Sequence, residues 1–331
     1  MSTENNERRY YLAAEGGGSK LLTILYDDRF NILRTTRSGG TGTTFRAPEV
    51  VEAEIREVAA TLIPDGCGIG ALESIDYSFG IGSLGDELKK RCEVKAIVNH
   101  GEGSVALSSA GGKCGIVAQA GTGSDSFMIQ PDCDKVVGGW GPTVGDEGSG
   151  YSIGISVILA AIYSFDGRGE KTVLEEMLYE HLGIDRAHIR DGILGMVYKS
   201  GARPKIAALT RIAAKAAAAG DAVALGIFEK AGHEMSAQVL ASIRNYGKKW
   251  EGPIVASGGA WKAHPKMFET FCADIHAKYP DAEIRHPVFE PVVGCIVERL
   301  SLGENAQMTP EEAIGLLREP FAEYAYGLDK H

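Results

Sequence analysis

The pattern of apolar positions predicts that the chain begins with strands and then alternates between strands and helices. Short apolar runs at 10–14, 21–26 and 32–36 are bounded by glycine and polar residues, which is typical of buried strands. From Pro48 the apolar spacing becomes helical, since Val51, Ile55, Val58 and Leu62 fall on one face. Further strands are predicted at 74–80 and 95–99, with helices at 85–92 and 102–110. The order βββαβαβα describes a ribonuclease-H-like half.

The same arrangement starts again at Gly115. A strand at 115–118, a glycine turn and a returning strand at 126–129 repeat the opening of the chain. The pattern after Gly150 is mostly helical, with predicted helices at 151–165, 170–182, 204–219, 222–246, after Pro265, at 291–302 and at 310–326, and one strand at 253–257. We therefore expect an α/β fold with two ribonuclease-H-like domains, 1–113 and 114–331, facing a central cleft. The last helix, 310–326, is expected to pack back on the first domain.

Composition narrows the function classes. The 331 residues carry a net charge of −10, which disfavours nucleic-acid binding through a general basic surface. The six cysteines form no CxxC motif and no close group with histidine, so disulfide scaffolds and structural zinc are disfavoured. Residues 1–9 lack the apolar segment of a signal peptide, and the longest apolar run, 153–163, is too short to span a bilayer. We expect a cytoplasmic protein that does not bind membranes.

Three glycine turns are the candidate ligand-binding segments. They are Glu15-Gly16-Gly17-Gly18-Ser19-Lys20, Gly121-Thr122-Gly123-Ser124 and Gly258-Gly259-Ala260. Glycine and small hydroxyl residues leave backbone N–H groups unobstructed, which suits phosphate oxygens, and the third turn could form the floor for a flat ring. A strand follows the first turn, whereas the P-loop and the dinucleotide fingerprint both lead into a helix, so neither motif applies.

Four segments resemble the N-acetylglucosamine kinases and the related BadF/BadG/BcrA/BcrD ATPases, within the superfamily that includes sugar kinases and actin. They read EGGGSK, AGTGS, GGWGPTVGDEGSGY and PIVASGGAWKAHP, in the family's order and at family-like spacing. The GGWG…GDEGS segment is the most diagnostic. In the first segment Glu15 stands where the family usually has Asp.

The resemblance implies an ATP-dependent kinase that uses Mg²⁺, acts on a small-molecule sugar at its 6-hydroxyl and forms a homodimer. The implied phosphate-binding residues are Gly16, Gly17, Gly18, Ser19, Lys20, Gly121, Thr122 and Gly123, and those bordering the adenosine are Ala207, Gly258 and Gly259. The implied sugar-side residues are Gly42, Ser124, Asp125, Gly139, Trp140, Gly141 and Asp146, and Glu15 would hold Mg²⁺, largely through water. Trp140 could instead be a core aromatic residue, and Asp146 could instead be a helix cap.

The catalytic carboxylate departs from the family pattern. The family places an Asp at the start of the helix before the second phosphate turn, where it orients the sugar hydroxyl and accepts its proton. Counting back from Thr122 without a gap reaches Glu102, and EGSVAL fits the pattern with Glu in place of Asp. A shifted register reaches His100 instead. We expect Glu102 to be the base, with His100 as the alternative.

Two departures concern the sugar. Gly42 and Asp125 occupy positions where N-acetylglucosamine kinases have Asn side chains that bind the sugar. Buried polar pairs can discriminate strongly between substrates. With these two changes, the substrate could be another amino sugar or a plain hexose. They also leave open a catalytically silent nucleotide- or sugar-binding regulator. An ATPase activator of a 2-hydroxyacyl-CoA dehydratase is a further alternative, disfavoured because Cys114 and Cys133 lie outside the turn.

Overall fold

The structure is a computed structural model that describes residues 8–17, 20–43, 46–199, 201–302, 306 and 308–327. Its strands are β1 Tyr10–Gly16, β2 Lys20–Asp27, β3 Ile32–Gly39, β4 Ala71–Leu72, β5 Ser74–Ser78, β6 Glu93–Val94, β7 Ile97–Asn99, β8 Gly115–Ala120, β9 Ser124–Gln130, β10 Cys133–Gly138, β11 Ile254–Ser257 and β12 Ile284–Arg285. Its helices are α1 Pro48–Leu62, α2 Leu84–Lys89, α3 Glu102–Ser109, α4 Gly150–Asp166, α5 Leu174–Leu182, α6 Ile189–Val197, α7 Ala202–Ala208, α8 Thr210–Ala218, α9 Ala222–Tyr246, α10 Pro265–His276, α11 Pro291–Ser301 and α12 Pro310–Leu317. Short 3₁₀ helices lie at Arg186–His188, Gly259–Lys262 and Ala322–Tyr324.

The chain separates into two compact units. The first comprises residues 1–113 and 287–326, and the second comprises 114–286 and the residues from 327. The predicted domain boundary after residue 113 coincides with this division, but the predicted second domain wrongly included 287–309. The return to the first unit begins at Pro287, so α11 belongs there as well as α12.

The first unit is built on a five-stranded sheet in the order β3-β2-β1-β5-β7. β1, β2 and β3 are antiparallel, whereas β5 and β7 run parallel to β1. Because side chains alternate along a strand, Leu12 and Ala14 of β1 enter the core with α1, while Ala13 enters the core with α11 and α12. α11 approaches α3 closely at Gly294, where a Cβ atom would lie 2.7 Å from Val105 Cγ1.

The second unit repeats this topology, with the sheet order β10-β9-β8-β11-β12. β8, β9 and β10 are antiparallel, and β11 and β12 run parallel to β8. Two α/β units with this strand order confirm the predicted ribonuclease-H-like fold. Edge strand β10 was not predicted, because its exposed Asp134 and Lys135 obscure the strand pattern.

The alanine-rich stretch predicted as one helix, 204–219, forms two helices, α7 and α8. The break lies at Leu209, whose N–H donates to the Ile206 carbonyl, a tighter i→i+3 bond than an α-helix makes. The same carbonyl lies against Gly154 of α4, and Thr210 Oγ1 donates to the Gly150 carbonyl at 3.1 Å. Packing against α4 therefore accounts for the break. None of the helices within the described ranges combines the length and the apolar character that crossing a bilayer would require.

Candidate functional site

The second glycine turn joins β8 to β9 and is fixed by the start of α4. The N–H groups of Gly150 and Tyr151 donate to the carbonyls of Gly121 and Thr122, at 2.8 and 3.2 Å. Gly121 N–H donates to the Gly123 carbonyl at 2.9 Å, while the Gly123 N–H has no acceptor among the residues that the structure describes. The carbonyls of the turn are therefore occupied, and an amide remains that an anion could bind.

The segment that leads into α4 contains Asp146, for which a helix cap was the alternative role. Ser149 is the N-cap and accepts from the Ser152 N–H at 3.1 Å, so Asp146 is not the capping residue. Asp146 has φ = 60° and is 2% exposed. Its Oδ2 atom accepts a hydrogen bond from Arg203 Nη2 at 2.6 Å. Arg203 therefore occupies one of the two carboxylate oxygens of Asp146.

Gly123 lies directly against this ion pair. A Cβ atom on Gly123 would lie 2.7 Å from Arg203 Nη2 and 3.0 Å from Asp146 Oδ1. Sequence reasoning did not identify Arg203, which lies in an alanine-rich helix 57 residues beyond Asp146. The turn, the carboxylate and the guanidinium form one cluster because glycine leaves room for the side chains.

The third glycine turn touches the second. Gly258 has φ = 111°, and a Cβ atom there would overlap the Ala120 carbonyl oxygen and lie 3.0 Å from Gly121 N. Trp261 Nε1 donates to the Ala118 carbonyl at 3.0 Å, which anchors the residues after the turn to β8. A Cβ atom on Gly259 would have no described atom within 4 Å, so the surface beside it is open.

Ala207 also lies near this cluster. Its Cβ atom is 3.7 Å from the position that a Cβ atom on Gly150 would occupy, and that same position is 3.1 Å from the Gly121 carbonyl oxygen. Of the predicted nucleotide-binding residues in the second unit, the structure therefore brings Gly121, Gly123, Ala207 and Gly258 to one place.

The predicted sugar-side residues Asp125 and Gly139 lie at the same end of β9 as the second glycine turn, since Asp125 pairs with Gln119 and the Gly139 N–H donates to the Ser124 carbonyl. Asp125 pairs with Gly138 in the β9–β10 register, and a Cβ atom on Gly139 would lie 3.3 Å from Asp125 Oδ2. Trp140 is 78% exposed, which excludes the alternative that it is a core residue. Gly141 has φ = 88°, a conformation that favours glycine.

Ser124 is buried and links the second glycine turn to the loop before α4. It is 3% exposed, and its Oγ atom donates to the Glu147 carbonyl at 2.6 Å. Gln238 Nε2 donates to the same carbonyl at 2.9 Å, so α9 also holds the loop. These bonds tie the second glycine turn to the segment that carries Asp146.

The carboxyl group of Asp125 is perturbed by its surroundings. Burial raises its pKa, the nearby Asp146 carboxylate raises it further, and the pKa reaches about 6. No described residue donates a side-chain hydrogen bond that would stabilise its charge. Asp125 therefore changes charge close to neutral pH.

The first glycine turn is described for part of its length. A Cβ atom on Gly16 would overlap the Gly80 carbonyl, which also accepts from Thr41 Oγ1 at 2.5 Å. Gly42 follows Thr41 and is exposed. The predicted residues Gly18 and Ser19 lie outside the described residues, so the turn itself is not placed.

Glu15 is the first residue of this turn and lies near the end of β1. Its carboxylate is 15% exposed and lies 3.1 Å from Lys20 Nζ. A single carboxylate beside a lysine fits a Mg²⁺ ion that keeps most of its water and is held mainly by nucleotide phosphates. The residues of β1 and β2 position both side chains, because Gly16 pairs with Leu21 next to them.

His100 and Glu102, the two candidates for the base, have different environments. The His100 side chain is 8% exposed; its Nε2 atom is 2.8 Å from Asp76 Oδ1, and its Nδ1 atom is 3.6 Å from Glu298 Oε1. Burial favours the neutral ring, but the hydrogen bonds to Asp76 and Glu298 outweigh it and raise the pKa of His100 to about 9. Glu102 is partly exposed, in the first turn of α3.

The buried partners of His100 were not identified from the sequence. Glu298 also accepts from Ser104 Oγ at 2.9 Å and from Ser108 Oγ at 3.3 Å, which joins α11 to α3. Arg299 lies 3.8 Å from the carboxylate of Asp76. A Glu-Arg pair inside the apolar helix VVGCIVERL is the signal that could have indicated this cluster.

This cluster predicts a pH-dependent stability. The pKa of His100 is higher in the folded protein than the ordinary value of about 6.5, so its stabilisation is complete below pH 6.5 and is lost as the pH rises through about 9. We expect the unfolding free energy to fall over this range, by on the order of 2–3 kcal/mol, and His100→Gln to remove most of the decrease. Thermal unfolding from pH 6 to 10 tests this. Parallel pH profiles for the two proteins would contradict it.

Comparisons with known proteins agree with the predicted family. The model of the BadF/BadG/BcrA/BcrD ATPase family matches residues 15–298. An N-acetylmuramic acid/N-acetylglucosamine kinase from Clostridium acetobutylicum is 28% identical over 310 residues, covering 87% of this chain and 97% of the relative. An N-acetyl-D-glucosamine kinase from Dictyostelium discoideum is 26% identical over 317 residues, covering 89% and 98%.

Solved structures support the fold. A protein from Chromobacterium violaceum, provisionally assigned as an N-acetylglucosamine kinase, superimposes with a TM-score of 0.65 at 20% identity, covering 87% of this chain and 98% of its own. A ROK family glucokinase from Streptomyces griseus has a TM-score of 0.51 at 15% identity, covering 86% and 97%. The match of the family model to most of the sequence is decisive: the chain belongs to the BadF/BadG/BcrA/BcrD ATPase family.

Proposed function

We propose that the protein transfers the γ-phosphate of ATP to a hydroxyl group of an amino sugar. The observation that carries the proposal is the contact between the second and third glycine turns, at Gly258 and Gly121, in a member of this family. The two curated relatives, named as N-acetylglucosamine kinases, support the reaction and the substrate class.

The nucleotide is proposed to bind along the two touching turns. The Gly123 amide of the second turn binds a phosphate oxygen, while the N-terminus of α4 holds the carbonyls of Gly121 and Thr122. The adenosine lies against Gly259, where the surface is open, with Ala207 and Gly258 at its edge. In the first unit Gly16, Gly17 and Lys20 contribute further phosphate contacts.

Glu102 is the proposed base. Its carboxylate orients the sugar hydroxyl and accepts its proton as the bond from the hydroxyl oxygen to the γ-phosphorus forms and the bond to ADP breaks. His100 is less suited to this role, because both of its ring nitrogens face buried carboxylates. A ring with a pKa of about 9 is already protonated at neutral pH.

Glu15 is the residue proposed to hold Mg²⁺, largely through water. When bound, Mg²⁺ neutralises phosphate charge and holds the oxygens in position for transfer. Lys20, close to Glu15, supplies a second positive charge to the same side of the nucleotide. We also propose that the protein acts in the cytoplasm as a homodimer, which the family resemblance suggests.

The sugar is proposed to lie beside Asp125, Gly139, Trp140 and Gly141. The exposed Trp140 ring offers an apolar face for a sugar ring, and Asp125 offers a carboxylate for its hydroxyl or amino groups. Because Asp125 replaces an amide side chain, we expect this protein to bind an N-acetyl group less well than relatives that have Asn at this position.

We therefore expect Asp125→Asn to lower the KM for N-acetylglucosamine by about three- to tenfold, since it restores one hydrogen-bond donor. The pKa of Asp125 is about 6, so the wild-type KM should also change between pH 5 and 7, while that of the variant should not. Initial rates at saturating ATP measure both effects. Equal KM values and equal pH profiles would remove Asp125 from the sugar site.

ADP formation across a panel of sugars tests the proposed function. The panel contains N-acetylglucosamine, N-acetylmuramic acid, glucosamine, glucose and a no-sugar control, each with Mg·ATP. The proposal predicts ADP formation that depends on an amino sugar. Nucleotide binding without sugar-dependent ADP formation would favour a silent binding protein, and sugar-independent hydrolysis would favour an ATPase.

A further inference from the structure

Arg203 occupies a position that the family resemblance did not assign. It lies in the first turn of α7, and its side chain is 20% exposed. Its Nη2 atom lies 2.6 Å from Asp146 Oδ2 and 2.7 Å from the position that a Cβ atom on Gly123 would take. The guanidinium therefore lies over the second glycine turn, where the missing side chain leaves room.

An ion pair as buried as this one is a poor source of stability by itself. Removing Arg203 and Asp146 from water costs free energy that their attraction only partly offsets. The pair does, however, hold the guanidinium in one place. Arginine has a planar group with five N–H donors, which can bind a carboxylate and a phosphate together.

The charges around the second glycine turn also favour an anion-binding role for Arg203. Asp125 and Asp146 interact strongly enough that Asp146 helps to raise the pKa of Asp125. Two carboxylates beside the turn would repel a phosphate, and Arg203 offsets one of them. Ala207, four residues further along α7, lies on the same helix face and next to the turn residues.

We propose that Arg203 is a phosphate-binding residue of the nucleotide site, and that Asp146 is the positioning residue that holds its guanidinium over Gly123. The inference rests on the proposed function only in taking the anion to be a nucleotide phosphate. Phosphate contacts from arginine are charge-assisted and frequently bidentate, so they also fix orientation.

The test compares ligands with and without phosphate. We expect Arg203→Gln to weaken binding of Mg·ATP and Mg·ADP by roughly 10- to 100-fold, while adenosine binding changes by less than about threefold. Arg203→Lys should recover part of the affinity, since it keeps the charge and loses the fork geometry. Arg211→Gln, an exposed arginine on α8, is the matched control and should bind all three ligands normally. Isothermal titration calorimetry measures each affinity.

Loss of Arg203 leaves Asp146 buried and unpaired, which could unfold the protein. The pair of variants Asp146→Asn and Asp146→Asn/Arg203→Gln avoids this, because the carboxylate is already absent. The double variant should lose ATP affinity relative to the single variant and keep adenosine affinity. Equal losses for ATP and adenosine, or no loss for either, would overturn the inference. A selective loss in a protein that phosphorylates no sugar would uphold the inference and refute the kinase proposal.

Discussion

Glu102→Gln is expected to lower the rate of sugar phosphorylation by about 10²- to 10⁴-fold, the range by which a general base contributes. The amide keeps the size of the side chain but cannot accept the proton of the sugar hydroxyl. Glu102 is partly exposed at the start of α3, so the substitution should leave the fold unchanged. Calorimetry should give a dissociation constant for Mg·ATP within about twofold of the wild-type value.

Two further variants make this result specific. Glu52→Gln changes a solvent-facing carboxylate on α1 and should retain full activity. His100→Gln should mainly lower stability, because Asp76 and Glu298 lose their buried partner. Full turnover by Glu102→Gln together with inactivity of folded His100→Gln would instead assign the base to His100.

The second large effect is expected from Gly258→Ala. Gly258 has φ = 111°, and a Cβ atom would overlap the backbone carbonyl of Ala120, which cannot move without disturbing β8. Strain in this region and a backbone clash together predict a loss of roughly 2–4 kcal/mol of stability. Thermal unfolding of the whole protein, compared with the wild type, measures the loss.

Gly259→Ala is the matched variant with the opposite expectation. A Cβ atom there would meet no described atom within 4 Å, so the stability should be unchanged. If the adenosine lies on this surface, the added methyl group should weaken Mg·ATP binding by about tenfold or more. A stable Gly259→Ala protein with unaltered ATP affinity would exclude this surface as the adenosine site.

Local signals predicted much of the fold. Helix α1 begins and ends at the predicted residues, Pro48 and Leu62, because a proline start and a clear apolar face define it. The strand–glycine turn–strand units were also predictable, since glycine and short apolar runs are features of the local sequence. The repeated sheet order then follows from two similar units.

Tertiary pairing was not predictable in the same way. The ion pair between Asp146 and Arg203 joins residues 57 positions apart, and the contact between Asp76 and His100 spans 24. Nothing in the local pattern around Arg203 distinguishes it from a solvent-facing arginine on an alanine-rich helix. The return of α11 to the first unit also depends on packing, at Gly294 and Val105, rather than on its own periodicity.

Phosphorus NMR of the complete reaction identifies where the γ-phosphate goes and so distinguishes a sugar kinase from an ATPase. With Mg·ATP and the preferred amino sugar, we expect one new phosphomonoester resonance that grows in proportion to the loss of the γ-phosphate signal. The same sample containing Glu102→Gln should show almost none. Growth of inorganic phosphate alone, at a rate independent of the sugar, would contradict the assignment as a sugar kinase.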